Sequence, residues 1–304
     1  MKHTLKITVA LILFFLMAQF AGLLVINHYI DHKKTVESKE IVMKPLPYGL
    51  ERPEVENRSY SFVYITISIF IGTIIVLLLA KFNRPMIWKT WFFLTVWLTL
   101  SISFAAFVNS AIAAATGLLL ALLKIYKPDL IIQNISEIFI YGGLAAIFVP
   151  MLNVFAAFML LIVISVYDYL SVYKTKHMIS LAKFQSKTKV FAGLLIPYGK
   201  GKINSKEIIK PGLKKIPKKT EARRTAVLGG GDIGFTLIFA GVVMQGLMLK
   251  ETIFIGFLKA LIIPLIASLA LAFLLVKGQE NKFYPAMPIL SAGCFLGYLV
   301  ILTI

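Results

Sequence analysis

Three acids fall inside long apolar runs of this sequence, Glu137, Asp168 and Asp232, and two of them can do chemistry together. Burying an ionised carboxylate in hydrocarbon costs several kcal/mol, so such a residue faces a polar cavity or a partner and is a functional candidate by default. Asp232 follows three glycines, Gly229, Gly230 and Gly231, in the opening turns of a segment running to about Leu249. Asp168 follows Tyr167 near the end of the segment from Leu152 to Tyr173. With ~1.5 Å of rise per residue, both are expected roughly 9–10 Å below the same membrane face, on consecutive antiparallel helices. Two adjacent carboxyl groups cannot both ionise cheaply. They share a proton, one acting as base toward water and the other as acid toward a carbonyl oxygen, which is aspartic-protease chemistry. The histidines, His3, His28, His32 and His177, lie at segment ends or in loops, and none forms an H-E-x-x-H zinc motif or a Ser-His pair. Glu137, close to Gln133, Asn134 and Ser136, reads as a structural polar contact.

The elements that must position these acids are membrane helices. Hydrophobic residues make up 59% of the 304, and several apolar runs reach the ~20 residues that cross a bilayer. Composition therefore indicates an all-α polytopic membrane protein and excludes a soluble α/β domain. Nine spans are expected, over about 7–26, 60–80, 88–108, 110–123, 130–149, 152–173, 225–249, 252–276 and 286–304. They form one membrane domain across 1–304: helices 1–6 over about 7–173, a basic cytoplasmic connection at 174–224, and helices 7–9 over about 225–304. The first run, Ile7 to Ile26, reads as a retained helix, because its apolar core exceeds the ~7–15 residues usual in a signal peptide. The single cysteine, Cys294, excludes an intramolecular disulfide.

The net charge of +18 is distributed by topology. Lys2 and Lys6, then Lys81, Arg84 and Lys89, then Lys124 and Lys127, then the Lys174–Arg224 connection, then Lys277 and Lys282 all fall on one side, whereas the Asp31–Ser59 segment balances its cations with acids. That positive-inside pattern makes the amino terminus cytoplasmic and the carboxy terminus external, in a protein integral to the membrane, here taken as the cell membrane. It points to anionic lipid near the basic connection, with no nucleic-acid partner. Within the connection, Val190 to Pro197 is too short to span and reads as a strand or an interfacial segment. A strand edge could hold an extended substrate. Lys200 to Arg224 reads as a solvated basic loop.

Tyr167-Asp168, Gly229-Gly230-Gly231-Asp232 and Pro285-Ala286-Met287-Pro288 resemble, in order and on the corresponding helices, the Y-D, G-x-G-D and P-A-L motifs of the presenilin and signal peptide peptidase family, in particular its archaeal presenilin-like members. The resemblance implies a presenilin-like fold and an intramembrane aspartyl protease with catalytic Asp168 and Asp232. Around them Tyr167, Gly229, Gly230, Gly231, Pro285, Ala286, Met287 and Pro288 would form the substrate-binding surface. Substrates would be transmembrane-helix proteins or peptides, with no cofactor or metal. The glycines would admit a substrate backbone closely, and Pro285 and Pro288, lacking N–H groups, would leave nearby carbonyls free to accept from an unwound one. Two departures stand out: Met287 replaces the leucine of P-A-L, a volume-conserving change, and the variable position of G-x-G-D is itself glycine. The long connection also lacks an apolar plug for self-cleavage. Alternatives from the same acids are a proton-coupled transporter relaying protons through Asp168, Asp232 and Glu137, or an inactive scaffold of the same fold.

Overall fold

The computed structural model describes residues 5–175, 190–198, 224–278 and 284–304, with scattered positions between 181 and 188. Helix α1 (Leu5–Tyr29) is followed by a short helix α2 (His32–Ser38). Then come α3 (Ser61–Lys81), α4 (Pro85–Ala105), α5 (Ser110–Tyr126), α6 (Leu130–Phe148) and α7 (Val154–Tyr173). A ribbon of β1 (Gly193–Tyr198) and β2 (Arg224–Gly229) leads into α8 (Gly230–Lys250), α9 (Ile253–Ala260), α10 (Ile262–Lys277) and α11 (Met287–Thr303). Among the described residues seven segments are long and apolar enough to cross a membrane, α9 and α10 counting as one, and the shorter apolar helices α5 and α11 complete the nine expected spans. The expected loop at 200–223 lies outside the described residues.

Side-chain caps set the helix starts. Asn109, Asp129 and Asn153 precede α5, α6 and α7, and each accepts from a first-turn amide at 2.8–2.9 Å, satisfying donors that the helix leaves orphaned. The span over 252–276 is broken at Leu261. Pro264 is the cause: it has no N–H for the Ala260 carbonyl, and its ring crowds that carbonyl.

α8 runs through the centre of the bundle, buried almost continuously from Ile233 to Gln245. It packs on α1, α6, α7 and α11. α3 is the opposite case, burying only Ser61 and Ile65, so the rest of its surface suits lipid. Close approach between helices uses small residues, as is common in membranes: a Cβ on Gly293 or Gly297 of α11 would come within 2.9 Å of the α10 backbone.

Two expectations are corrected. The seventh span does not begin at Thr225, because residues 224–229 form β2, paired antiparallel to β1 with Leu195 opposite Val227. α8 begins at Gly230, so Asp232 stands in its first turn and not two turns below the surface. Equal depth counted along helices therefore fails as a derivation, although both acids remain close to helix ends on the same side. Lys124 is not a loop cation. It lies in α5 with its side chain only 2% exposed, paired with Glu137 at 2.6 Å.

Candidate active site

Asp168 sits five residues from the end of α7 and is half-buried. Its Oδ2 accepts from the Met287 backbone N–H at 3.1 Å, and the Ala286 amide is near enough to act on it electrostatically. Those amides are available because α11 opens at Met287, and first-turn N–H groups have no intrahelical acceptor. The helix dipole adds partial positive charge there. The Pro-Ala-Met-Pro segment thus supplies a donor to a carboxylate, a role not read from the sequence. The Ala286 carbonyl is already occupied by the Ile289 and Leu290 amides at 3.1 and 3.0 Å. Pro285 and Met287 are buried, Ala286 and Pro288 half-buried.

Asp232 is half-buried in the first turn of α8, which Gly229 caps in an extended conformation. The Asp232 carbonyl accepts from Thr236 Oγ1 at 2.8 Å. α7, α8 and α11 pack on one another, and Ser165 Oγ meets Ser291 Oγ at 2.8 Å between α7 and α11. Further along the same helices Phe158, Phe239 and Phe295 interlock, with ring centroids 4.6–5.9 Å apart. Aromatic packing of this kind fixes the rotation of each helix relative to the others.

The three glycines have different surroundings. A Cβ on Gly230 would overlap the Tyr141 hydroxyl, one on Gly229 would come within 3.2 Å of Asp232 Oδ2, and Gly231 is exposed with room for a side chain. Tyr167 turns toward α3, its ring edge-on to Phe70 at 5.2 Å and its hydroxyl donating to Thr73 Oγ1 at 3.3 Å. Those contacts anchor α7 to α3.

One carboxyl is held by the opening amide of α11 and the other stands in the first turn of α8, on three helices that pack together. Residues 47–304 match the family described as signal-peptide peptidase, presenilin aspartyl protease. The chain belongs to that family. Two solved structures described as a presenilin family intramembrane aspartate protease, in different crystal forms, share its fold. One has a TM-score of 0.60 at 20% identity, over 97% of this chain and 98% of that one. The other has a TM-score of 0.58 at 18% identity, over 97% and 96%. No curated protein matches the chain. This is an integral membrane protein and an aspartic endopeptidase of the intramembrane-cleaving type.

The reading of Glu137 as a structural polar contact holds, but sequence reasoning missed its partners Lys124 and Tyr141. Glu137, 1% exposed, is the hub of a buried network. Its Oε1 accepts from Lys124 Nζ at 2.6 Å and Gln133 Nε2 at 3.1 Å, and its Oε2 accepts from the Tyr141 hydroxyl. Gln133 also donates to the Phe191 and Gly193 carbonyls, and Asn134 exchanges two hydrogen bonds with the Leu195 backbone. From α1, Gln19 donates to the Ile233 carbonyl at 2.9 Å. The available signal was spacing: 133, 137 and 141 recur every four residues and line one face of a helix.

Proposed function

We propose that Asp168 and Asp232 are the general base and general acid that hydrolyse a peptide bond of a transmembrane substrate near the cytoplasmic side of the bilayer. The observation that carries this is the capture of Asp168 by the Met287 amide, which joins the third motif to the first in one polar site on helices packed against α8. Asp168 takes a proton from water as the water oxygen attacks the scissile carbonyl carbon, and Asp232 gives its proton to the carbonyl oxygen. The tetrahedral diol then collapses: a proton passes to the amide nitrogen, the C–N bond breaks, and the carboxyl product and amine leave.

A helical substrate hides its carbonyls in its own hydrogen bonds, and unwinding it in lipid leaves backbone groups that cost several kcal/mol each if unpaired. The ribbon offers partners. Leu195 spends its N–H and C=O on Asn134, away from β2, so by the alternation of an antiparallel ladder the backbone groups of Thr225 and Val227 face away from β1. An unwound substrate adding along that β2 edge is led toward Asp232. The basic connection lies on the cytoplasmic side near anionic lipid, with the amino terminus inside and the carboxy terminus outside, in the cell membrane.

The test is incubation of purified protein with labelled transmembrane peptides carrying one glycine at successive positions, with products identified by mass spectrometry. Cuts are expected near the cytoplasmic end of the peptide helix, fastest when the glycine lies beside the cut. Asp168→Asn and Asp232→Asn should each lower turnover below about a hundredth, the scale of a lost acid or base. A folded variant keeping a tenth of wild-type turnover, or cuts clustered at the external end, would refute the reading.

A further inference from the structure

The variable position of the G-x-G-D motif is glycine here, and the structure supplies a reason. Tyr141 of α6 lies along the opening turn of α8. A Cβ on Gly230 would overlap its hydroxyl, and a Cβ on Gly234, one turn later, would touch its ring at 3.4 Å. Gly230 and Gly234 therefore form a shallow groove that the tyrosine fills. The ring is 6% exposed. Its hydroxyl donates to Glu137 Oε2, and Lys124 and Gln133 hold the other oxygen of that carboxylate. The tyrosine is thus fixed at its tip as well as along its face. Its hydroxyl is also near enough to Asp232 to interact with it electrostatically. Gln133, from the same face of α6, ties down the Phe191 and Gly193 carbonyls at the start of β1, and the Gly230 N–H closes on the Ala192 carbonyl at 3.3 Å. One stripe of α6 thereby grips both sides of the strand-to-helix junction that bears Asp232.

We infer that Tyr141, clamped by Glu137 and seated against Gly230 and Gly234, is the positioning residue that sets where the first turn of α8 holds Asp232. Its effect on turnover rests on the acid–base reading above; its effect on the junction does not.

Tyr141→Phe keeps the ring and deletes the clamp. Expected are a fall in kcat of tenfold or more with KM within twofold, and at least tenfold faster hydrogen–deuterium exchange at the amides of 229–233 with no change in α10. Gly230→Ala should also lower kcat at least tenfold by driving a methyl group into the hydroxyl. In the double variant the overlapping oxygen is gone and the methyl meets only ring carbons at 3.1 and 3.2 Å, so its kcat should stay within about threefold of Tyr141→Phe alone. Unchanged exchange at 229–233 in Tyr141→Phe overturns the inference, whatever the activity. Losses that multiply independently in the double variant overturn it as well. If instead Asp168→Asn or Asp232→Asn retains wild-type turnover, the acid–base reading falls, while exchange still decides the role of Tyr141.

Discussion

The donor from α11 to Asp168 can be deleted almost atom for atom. In a Met287→Leu background, which keeps the volume and the N–H, residue 287 is replaced by the α-hydroxy acid analogue of leucine. The backbone amide becomes an ester, and the only donor lost is the one 3.1 Å from Asp168 Oδ2. A hydrogen bond to a charged group is worth about 1.5–3 kcal/mol and one between neutral groups about 0.5–1.5. If Asp168 is the ionised base at the chemical step, the first range applies, which converts to a loss of roughly 10- to 150-fold in kcat/KM. The Ala286 amide still acts on Asp168 electrostatically, so the lower half of that range is expected. The control is the same ester at Leu290, whose N–H bonds to the Ala286 carbonyl at 3.0 Å as an ordinary helix rung. It should cost about 1 kcal/mol of stability and leave turnover within about twofold. The assay is single-turnover cleavage of a labelled transmembrane peptide, with thermal unfolding run alongside. Turnover of the 287 ester within twofold of the Met287→Leu protein would refute the claim that this amide supports the base. Equal loss at 287 and 290 would show that only helix stability had been measured.

The rate should follow a bell-shaped pH profile, since only the singly protonated pair is competent and its two apparent constants belong to the pair; a profile flat from acid to neutral pH would count against a shared proton. Lys124→Met removes the cation from a pair whose side chains are 2% and 1% exposed, so unfolding in mild detergent should show a loss of about 3–5 kcal/mol, most of it recovered when Glu137→Gln is added. A loss unaffected by the second change would mean that the pair is not the source. Accessibility tags at the amino terminus and at Ser205 should be cytoplasmic and a tag after Ile304 external, and a cytoplasmic carboxy terminus would break the proposed orientation.

What could be read in advance followed from what a bilayer forbids. Asp168 and Asp232 were conspicuous because a carboxylate in an apolar run is expensive, and the same contrast outlined the spans, including α5 with its cap at Asn109. The break at Leu261 was not read, although Pro264 three residues further on was a signal for it. β2 was not legible. Thr225 to Leu228 is a four-residue apolar run abutting a helix, and such a run has no periodicity to separate a strand from the next helical turn. Its partner lies about thirty residues upstream, and only the fold brings the two together. Charge counting placed Lys124 in a loop because it sees the last turn of a helix and not the carboxylate thirteen residues further on that turns the lysine inward. The donor role of the proline motif went unread for a similar reason: the sequence shows which N–H groups are missing, but not that the Met287 amide between the prolines meets Asp168.

Both acids lie where regular backbone ends, and this follows from what the reaction requires. In the middle of a membrane helix every amide and carbonyl is satisfied, so nothing there can stabilise a carboxylate or receive an unwound strand. Helix starts are the exception, because their first amides are free and carry partial positive charge. The start of α11 spends its Met287 amide on Asp168, and the start of α8 is reached directly from a strand whose outer edge is unpaired among the described residues. Irregular backbone at membrane depth persists only where other protein covers or satisfies it. Here that cover comes from α6, whose Gln133 and Asn134 bond the strand while Tyr141 fills the groove at Gly230. The buried Lys124–Glu137 pair therefore fixes the side chains that hold the strand-to-helix junction bearing Asp232.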